Sequence, residues 1–134
     1  MTPNSAGNAM APQARAVVAG HGAYAEGMIS AVAQIAGLAD RFVAVSNTGL
    51  APAALEEALR TALAESGARI IFTDLPAGSC TLAARRLARA DPGLTVVVGV
   101  ALPTLLSFVC GSDVATATER GRDAIAIVEG PGDA

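Results

Sequence analysis

Apolar residues in this chain fall into short runs and helical stripes that alternate from Arg15 to Glu129. Residues 15–20 (RAVVAG) form a compact apolar run closed by glycine, the pattern of a parallel strand buried on both faces. Residues 23–36 place Met28, Val32 and Ile35 at helical intervals, with Gly37 as the stop. A second strand is expected at 41–46 (RFVAVS), followed by a turn-rich loop from Asn47. Pro52 then opens a helix at its favoured first position, Leu55, Leu59 and Leu63 form its apolar stripe, and Gly67 follows its end. Residues 68–73 (ARIIFT) read as a third strand, 74–79 (DLPAGS) as a loop and 80–90 as a helix. A fourth strand is expected at 94–100 (LTVVVGV), then a mostly helical stretch over 102–123. Residues 124–129 (AIAIVE) alternate like a last, half-exposed strand.

Four strand–helix units in succession predict an α/β layer structure with a mostly parallel sheet. Right-handed crossovers leave few topologies, and the doubly wound, flavodoxin-like order 2-1-3-4 is the expected one. In that order strands 1 and 3 are neighbours whose connections leave in opposite directions. Their C-terminal ends frame the crevice where open α/β sheets place their sites. The turn Gly20-His21-Gly22 should therefore face the loop from Thr73-Asp74 to Ser79. One domain spanning 15–130 accounts for the pattern, with a disordered leader at 1–14 and a frayed tail at 131–134.

Composition narrows the function classes. Of 134 residues, 52% are apolar and 16% charged, enough to bury a core. A net charge of −3 argues against nucleic-acid binding, which rests on clustered cations. Aromatic content of 3% without tryptophan removes the stacking platforms of a single-strand binder. Cys80 and Cys110 make no disulfide framework, and with one histidine they build no closed zinc site without several carboxylates, so no metal is expected. The first fourteen residues have neither the positive charge nor the apolar run of a signal peptide. The apolar stretch 94–110 is broken by Gly99 and Pro103 and falls short of a membrane span. A cytoplasmic location is the expectation.

His21 and Asp74 carry the main chemical signal. Flanking glycines leave the imidazole uncrowded, so a large partner can reach it. Neutral imidazole is a nucleophile, and a carboxylate on one ring nitrogen fixes the tautomer that lets the other attack. Two helix N-termini at the same turns offer amides for a phosphate. The plainer reading is an exposed histidine beside a helix-capping aspartate.

Competing motifs are weaker. Residues 20–25 match the loose pattern G-x-G-x-x-G/A, but Asp40 precedes strand 2 instead of ending it, so no ribose acid is in place. Cys80 and Arg86 have the C-x5-R spacing of thiol phosphatases. The residues between them lack glycine and favour helix, which opposes a phosphate-curling loop. A His21–Asp74–Ser79 hydrolase trio lacks the G-x-S-x-G elbow, and Ser79 reads better as an N-cap or a phosphate hydrogen-bond donor. Arg85, Arg86 and Arg89 read as a solvated helix face.

Three co-ordered segments carry a family resemblance. GHGAYAEGM at 20–28 resembles the phosphohistidine segment, HG-x-x-A-x-G, of the mannose-family enzyme IIA domain of the sugar phosphotransferase system. TDLPAGS at 73–79 resembles that family's TDL-x-GGSP, and GVALPTLL at 99–106 its GVNLPMLLE. The resemblance implies a phosphotransferase in which His21 accepts a phosphoryl group from the phosphocarrier HPr and passes it to a IIB component. Asp74 would be the hydrogen-bonding partner of His21, and Ser79, Gly22 and Gly78 would bind the phosphate, without a cofactor. It also implies a homodimer with residues 124–129 exchanged between subunits, and indirect association with membrane IIC and IID components. Ala77, Cys80, Ala101, Thr104 and Ser107 depart from the family pattern. A regulatory paralogue, whose histidine phosphorylation controls a partner protein, is the alternative function.

Overall fold

The computed structural model describes residues 15–130. The expected leader at 1–14 and tail at 131–134 lie outside the described residues. Four strands and five helices alternate: β1 (Ala16–Gly20), α1 (Tyr24–Ala36), β2 (Phe42–Ser46), α2 (Pro52–Ser66), β3 (Ile70–Thr73), α3 (Ser79–Ala90), β4 (Thr95–Val97), α4 (Leu102–Val109) and α5 (Val114–Asp123). A single 3₁₀ turn, Ala39–Arg41, leads into β2.

The sheet is wholly parallel in the order β2-β1-β3-β4, the arrangement the strand–helix pattern predicts. β1 lies in the middle and its residues 16–19 are completely buried. Their side chains alternate between two cores, as a strand covered on both faces requires. Val17 and Ala19 join Leu55, Leu59 and Leu87 from α2 and α3. Ala16 and Val18 join Val32, Leu105 and Phe108 from α1 and α4. The second core also holds all three phenylalanines, Phe42, Phe72 and Phe108, with ring centroids 5.3 to 6.4 Å apart. Truncating a buried leucine such as Leu55 or Leu59 to alanine costs roughly 2–5 kcal/mol in sites of this kind.

Most boundaries follow local chemistry. Pro52 occupies the first turn of α2, and Gly67 ends it at φ +75° with its amide on the Leu63 carbonyl. Gly37 ends α1 in the same left-handed conformation. The expected helix over 102–123 is two helices, because the chain turns at Gly111 and Asp113 caps α5, accepting from the Thr116 amide at 2.8 Å. Gly121 then lets α5 lie against α4, since a Cβ there would collide with the Thr104 hydroxyl.

Three expectations need correction. Ile35 does not join the core; it is 62% exposed, while Met28 and Ile29 pack on the sheet. The fourth strand stops at Val97, and Gly99 at φ +67° turns the chain toward α4. Residues 125–129 form no strand within this chain, and Ile125 and Ile127 are 81% and 85% exposed. Alternation prepares a segment for a sheet, but a strand exists only where a neighbour supplies the ladder.

Candidate functional site

β1 and β3 pair in register from Val17 with Ile71 to Ala19 with Thr73, so both strands end at one level. His21 follows Gly20, the last residue of β1, and Asp74 leaves β3 beside it. Asp74 Oδ2 accepts from the His21 backbone N–H at 2.9 Å and lies 2.7 Å from His21 Nδ1. One carboxylate oxygen thus fixes both the turn and the ring. The imidazole carries its hydrogen on Nδ1 in the neutral tautomer, because the oxygen facing that nitrogen is an ionised acceptor. Nε2 is left without the proton, carrying the lone pair.

Asp74 is held by its surroundings. Its side chain is only 11% exposed, against 46% for His21. Burial pushes its carboxyl group up, but hydrogen bonds from the His21 ring and amide and the charge of that ring outweigh the effect. The carboxyl titrates below its ordinary value of 3.8. Asp74 Oδ1 is buried without a hydrogen-bond partner. Gly20 is needed for this closeness: an added Cβ would collide with the Tyr24 ring and sit 3.0 Å from Asp74 Cγ. Tyr24, in turn, donates its hydroxyl to the Val100 carbonyl at 2.7 Å, tying α1 to the chain beyond β4. Burial and the nearby Asp74 charge push the Tyr24 phenol up to about 12.

The other wall is the start of α3. Gly78 precedes the helix at φ +131°, a conformation that side chains rarely adopt. A Cβ there would stand 3.3 Å from His21 Cε1 and 3.9 Å from Nε2, so the Nε2 edge of the ring lies over the Gly78 backbone. The first helical bond runs from the Leu82 amide to the Gly78 carbonyl, leaving the amides of residues 78–81 without an intrahelical acceptor. Amides and helix dipole together favour an anion at this end. Ser79 is the first helical residue, and the N-cap is Gly78, which has no side chain to cap with. Buried Thr81 holds the Asp74 loop from below, its hydroxyl bonding Thr73 Oγ1 at 2.7 Å and the Leu75 carbonyl at 2.6 Å.

Asn47 is a site residue that sequence reasoning passed over. Its Oδ1 accepts from the Gly22 amide and its Nδ2 donates to Ser79 Oγ, each at 3.3 Å. Its position just past β2 was the available signal, because β2 neighbours β1 and therefore opens at the same crevice. Gly22 itself is exposed at φ +54°, and its amide is engaged by Asn47.

Cys80 lies outside this chemistry. It is fully buried under the helix, and burial with the Asp74 charge pushes its thiol up to about 11. A nucleophilic thiolate needs the opposite shift. Arg85, Arg86 and Arg89 are exposed on the outer face of α3. Among the described residues, no three His, Cys, Asp or Glu side chains converge as metal ligands, and no helix is long and apolar enough to cross a membrane.

Comparison with solved structures gives the same fold in a coherent group. The mannose/sorbose-specific IIA subunit of the phosphotransferase system from Enterococcus faecalis is 20% identical. The alignment covers 90% of this chain and 98% of that one, with a TM-score of 0.76. The phosphotransferase IIA protein associated with the fucose utilization operon of Streptococcus pneumoniae is also 20% identical, covering 85% and 92% with a TM-score of 0.74. A sigma-54 interaction domain protein from Enterococcus faecalis is 14% identical, covering 84% and 90% with a TM-score of 0.66. Curated proteins give no significant match. The family model described as the PTS system fructose IIA component matches residues 15–125, from the residue before β1 to beyond α5. With that match spanning the whole sheet and every helix, the chain belongs to the IIA component family of the sugar phosphotransferase system.

Proposed function

We propose that this chain is a phosphoryl relay in sugar uptake, accepting a phosphoryl group from HPr on His21 Nε2 and handing it to a IIB component. The observation that carries the reading is the single Asp74 oxygen bound to both the amide and Nδ1 of His21, with Nε2 turned toward the N-terminus of α3. In the step, the Nε2 lone pair forms a bond to phosphorus. The donor's P–N bond breaks, and its electron pair stays on the donor nitrogen. His21 keeps its Nδ1 hydrogen and becomes a phosphoimidazolium, so a positive charge develops on the ring beside Asp74. Preorganised Asp74 stabilises that charge, and the free amides of α3 and Ser79 face the phosphoryl oxygens. No cofactor is called for.

The surroundings suit a protein donor. His21 is exposed, and Leu75 and Leu82 stand exposed near the Gly78–Ser79 wall. Beside that wall a cavity of about 260 Å³ is lined by Pro52, Leu82, Ala83 and Arg86. Exposed apolar groups around an accessible nucleophile fit a transient protein partner better than a small substrate enclosed in a pocket.

Incubation with phosphoenolpyruvate, enzyme I and HPr should add one acid-labile, base-stable phosphate per chain. His21→Ala should abolish it, and labelling that survives this substitution overturns the relay. The second reading, a regulatory relative whose phosphorylation controls a partner, draws on the structural likeness to the sigma-54 interaction domain protein. Neighbouring genes for IIB, IIC and IID components favour transport, and an isolated gene favours regulation.

A further inference from the structure

We propose that Asn47 is a positioning residue of the phosphoryl site, which turns the Ser79 hydroxyl into a donor toward a phosphoryl group on His21. The inference rests on the reading of His21 as the phosphoryl acceptor and adds a residue from a third loop.

The case begins with the orientation of the Asn47 amide. Oxygen and nitrogen of an asparagine are assigned by their hydrogen-bond partners. Here one partner is the Gly22 backbone N–H, which can only donate, so the atom facing it is Oδ1. The amide nitrogen must then point at Ser79, and it lies 3.3 Å from Ser79 Oγ. Backbone pairing keeps Asn47 at this level, because its own amide donates to the Gly20 carbonyl at 3.2 Å. Asn47 therefore joins the turn behind His21 to the first residue of α3.

The consequence falls on the Ser79 hydroxyl. A serine hydroxyl has one hydrogen to give and accepts through its oxygen. Asn47 Nδ2 supplies the accepted bond, so the Ser79 hydrogen is free for another acceptor. Ionised phosphoryl oxygens are acceptors only, and a hydrogen bond to such a charged group is stronger than one between neutral groups. Without Asn47 the hydroxyl rotates and its hydrogen is divided among other acceptors.

A chemical phosphoryl donor tests this independently of HPr. Phosphoramidate reacts as its zwitterion: the Nε2–P bond forms, the P–N bond of the reagent breaks, and neutral ammonia leaves with the electron pair. The rate of His21 phosphorylation, read by ³¹P NMR, is compared in the parent chain, Asn47→Ala, Asn47→Asp, Ser79→Ala and the Asn47→Ala/Ser79→Ala double variant. Loss of one hydrogen bond to a charged group predicts a fall of about tenfold in Ser79→Ala and in Asn47→Ala. If Asn47 acts through Ser79, the double variant is no slower than Ser79→Ala alone. Asn47→Asp should be slower than Asn47→Ala, because its carboxylate keeps the Gly22 contact, takes the Ser79 hydrogen and repels the phosphoryl group. A general structural effect would instead add in the double variant. Additive losses, or an Asn47→Asp variant as fast as the parent, overturn the proposal. If phosphoramidate labels His21 while HPr does not, the relay reading falls and the Asn47 comparison still stands. Failure of the reagent to label His21 in the parent chain overturns the Asn47 proposal, while the relay is judged by the HPr assay alone.

Discussion

One oxygen of Asp74 binds His21 twice, accepting from its backbone amide and facing its Nδ1. The pair spans 53 residues of sequence and is made by two adjacent parallel strands that end at the same level. Because the amide contact fixes the turn, the ring contact fixes an imidazole that already has its position. Asp74 selects the tautomer and leaves Nε2 as the only nucleophilic atom of the ring.

Asp74→Asn keeps the shape and removes the charge, and should slow His21 phosphorylation by about 10²-fold, the low end for a positioned acid–base group. The same variant has a pH signature. The Asp74 carboxyl group is held below 3.8 in the folded chain, so its ionised form stabilises the fold above that value. That contribution is lost as pH falls through the folded pKa. Thermal melts from pH 6 to pH 2.5 should show the parent chain losing its advantage over Asp74→Asn only at the acid end. A constant difference across the range would mean that the carboxylate is not held by His21.

Tyr24 is the only tyrosine and the chain has no tryptophan, so its ultraviolet spectrum reports one phenol. Raised to about 12, Tyr24 should remain neutral through pH 10 and 11 while the chain is folded. A phenol with a raised folded pKa contributes stability that is complete below its unfolded value near 10 and is lost as pH rises toward 12. Alkaline titration at the phenolate band should show ionisation only together with unfolding. Tyr24→Phe should cost about 1 kcal/mol in denaturant melts, since it leaves the Val100 carbonyl without this donor.

The two cysteines should separate cleanly under a thiol reagent. Exposed Cys110 should react at once, and buried Cys80, with its thiol near 11, only on unfolding. Cys80→Ala should leave His21 labelling intact. Rapid modification of both thiols in the native chain would contradict the packing of α3.

Assembly depends on the segment after α5. Ile125, Ile127 and Val128 are exposed in the single chain, and Ile125 lines a cavity of about 170 Å³ with Val97 and Val98 at the edge of the sheet. An exposed apolar segment beside a free sheet edge is a template for pairing with a second copy. We expect a dimer in which residues 124–129 cross to the neighbour, and deletion from Ala124 onward should yield monomers or insoluble protein. Light scattering that finds a stable full-length monomer at micromolar concentration excludes the exchange and leaves the chemistry of His21 untouched.

Strand and helix order was written locally. The all-apolar run at 16–19 has the pattern of a strand buried on both faces, and that run with its successors pointed to a doubly wound, mostly parallel sheet. Once β1 and β3 were neighbours, His21 and Asp74 had to meet, so this half of the site was legible from topology. Local chemistry also settled where α2 starts and stops, because Pro52 and Gly67 act on their own backbone.

What the tertiary structure decided was everything that depends on where a side chain turns after its element ends. Asn47 looked like a turn residue until β2 placed it beside Gly22 and Ser79, since its two bonds reach across 25 and 32 residues. Ser79 is a helical residue here because Gly78, at φ +131°, holds the N-cap position before it. Ile35 matched the helical stripe yet faces outward, because spacing names a face and packing decides where that face ends. Residues 124–129 have the alternation of a strand without forming one here, for a ladder needs a second backbone that the pattern cannot supply.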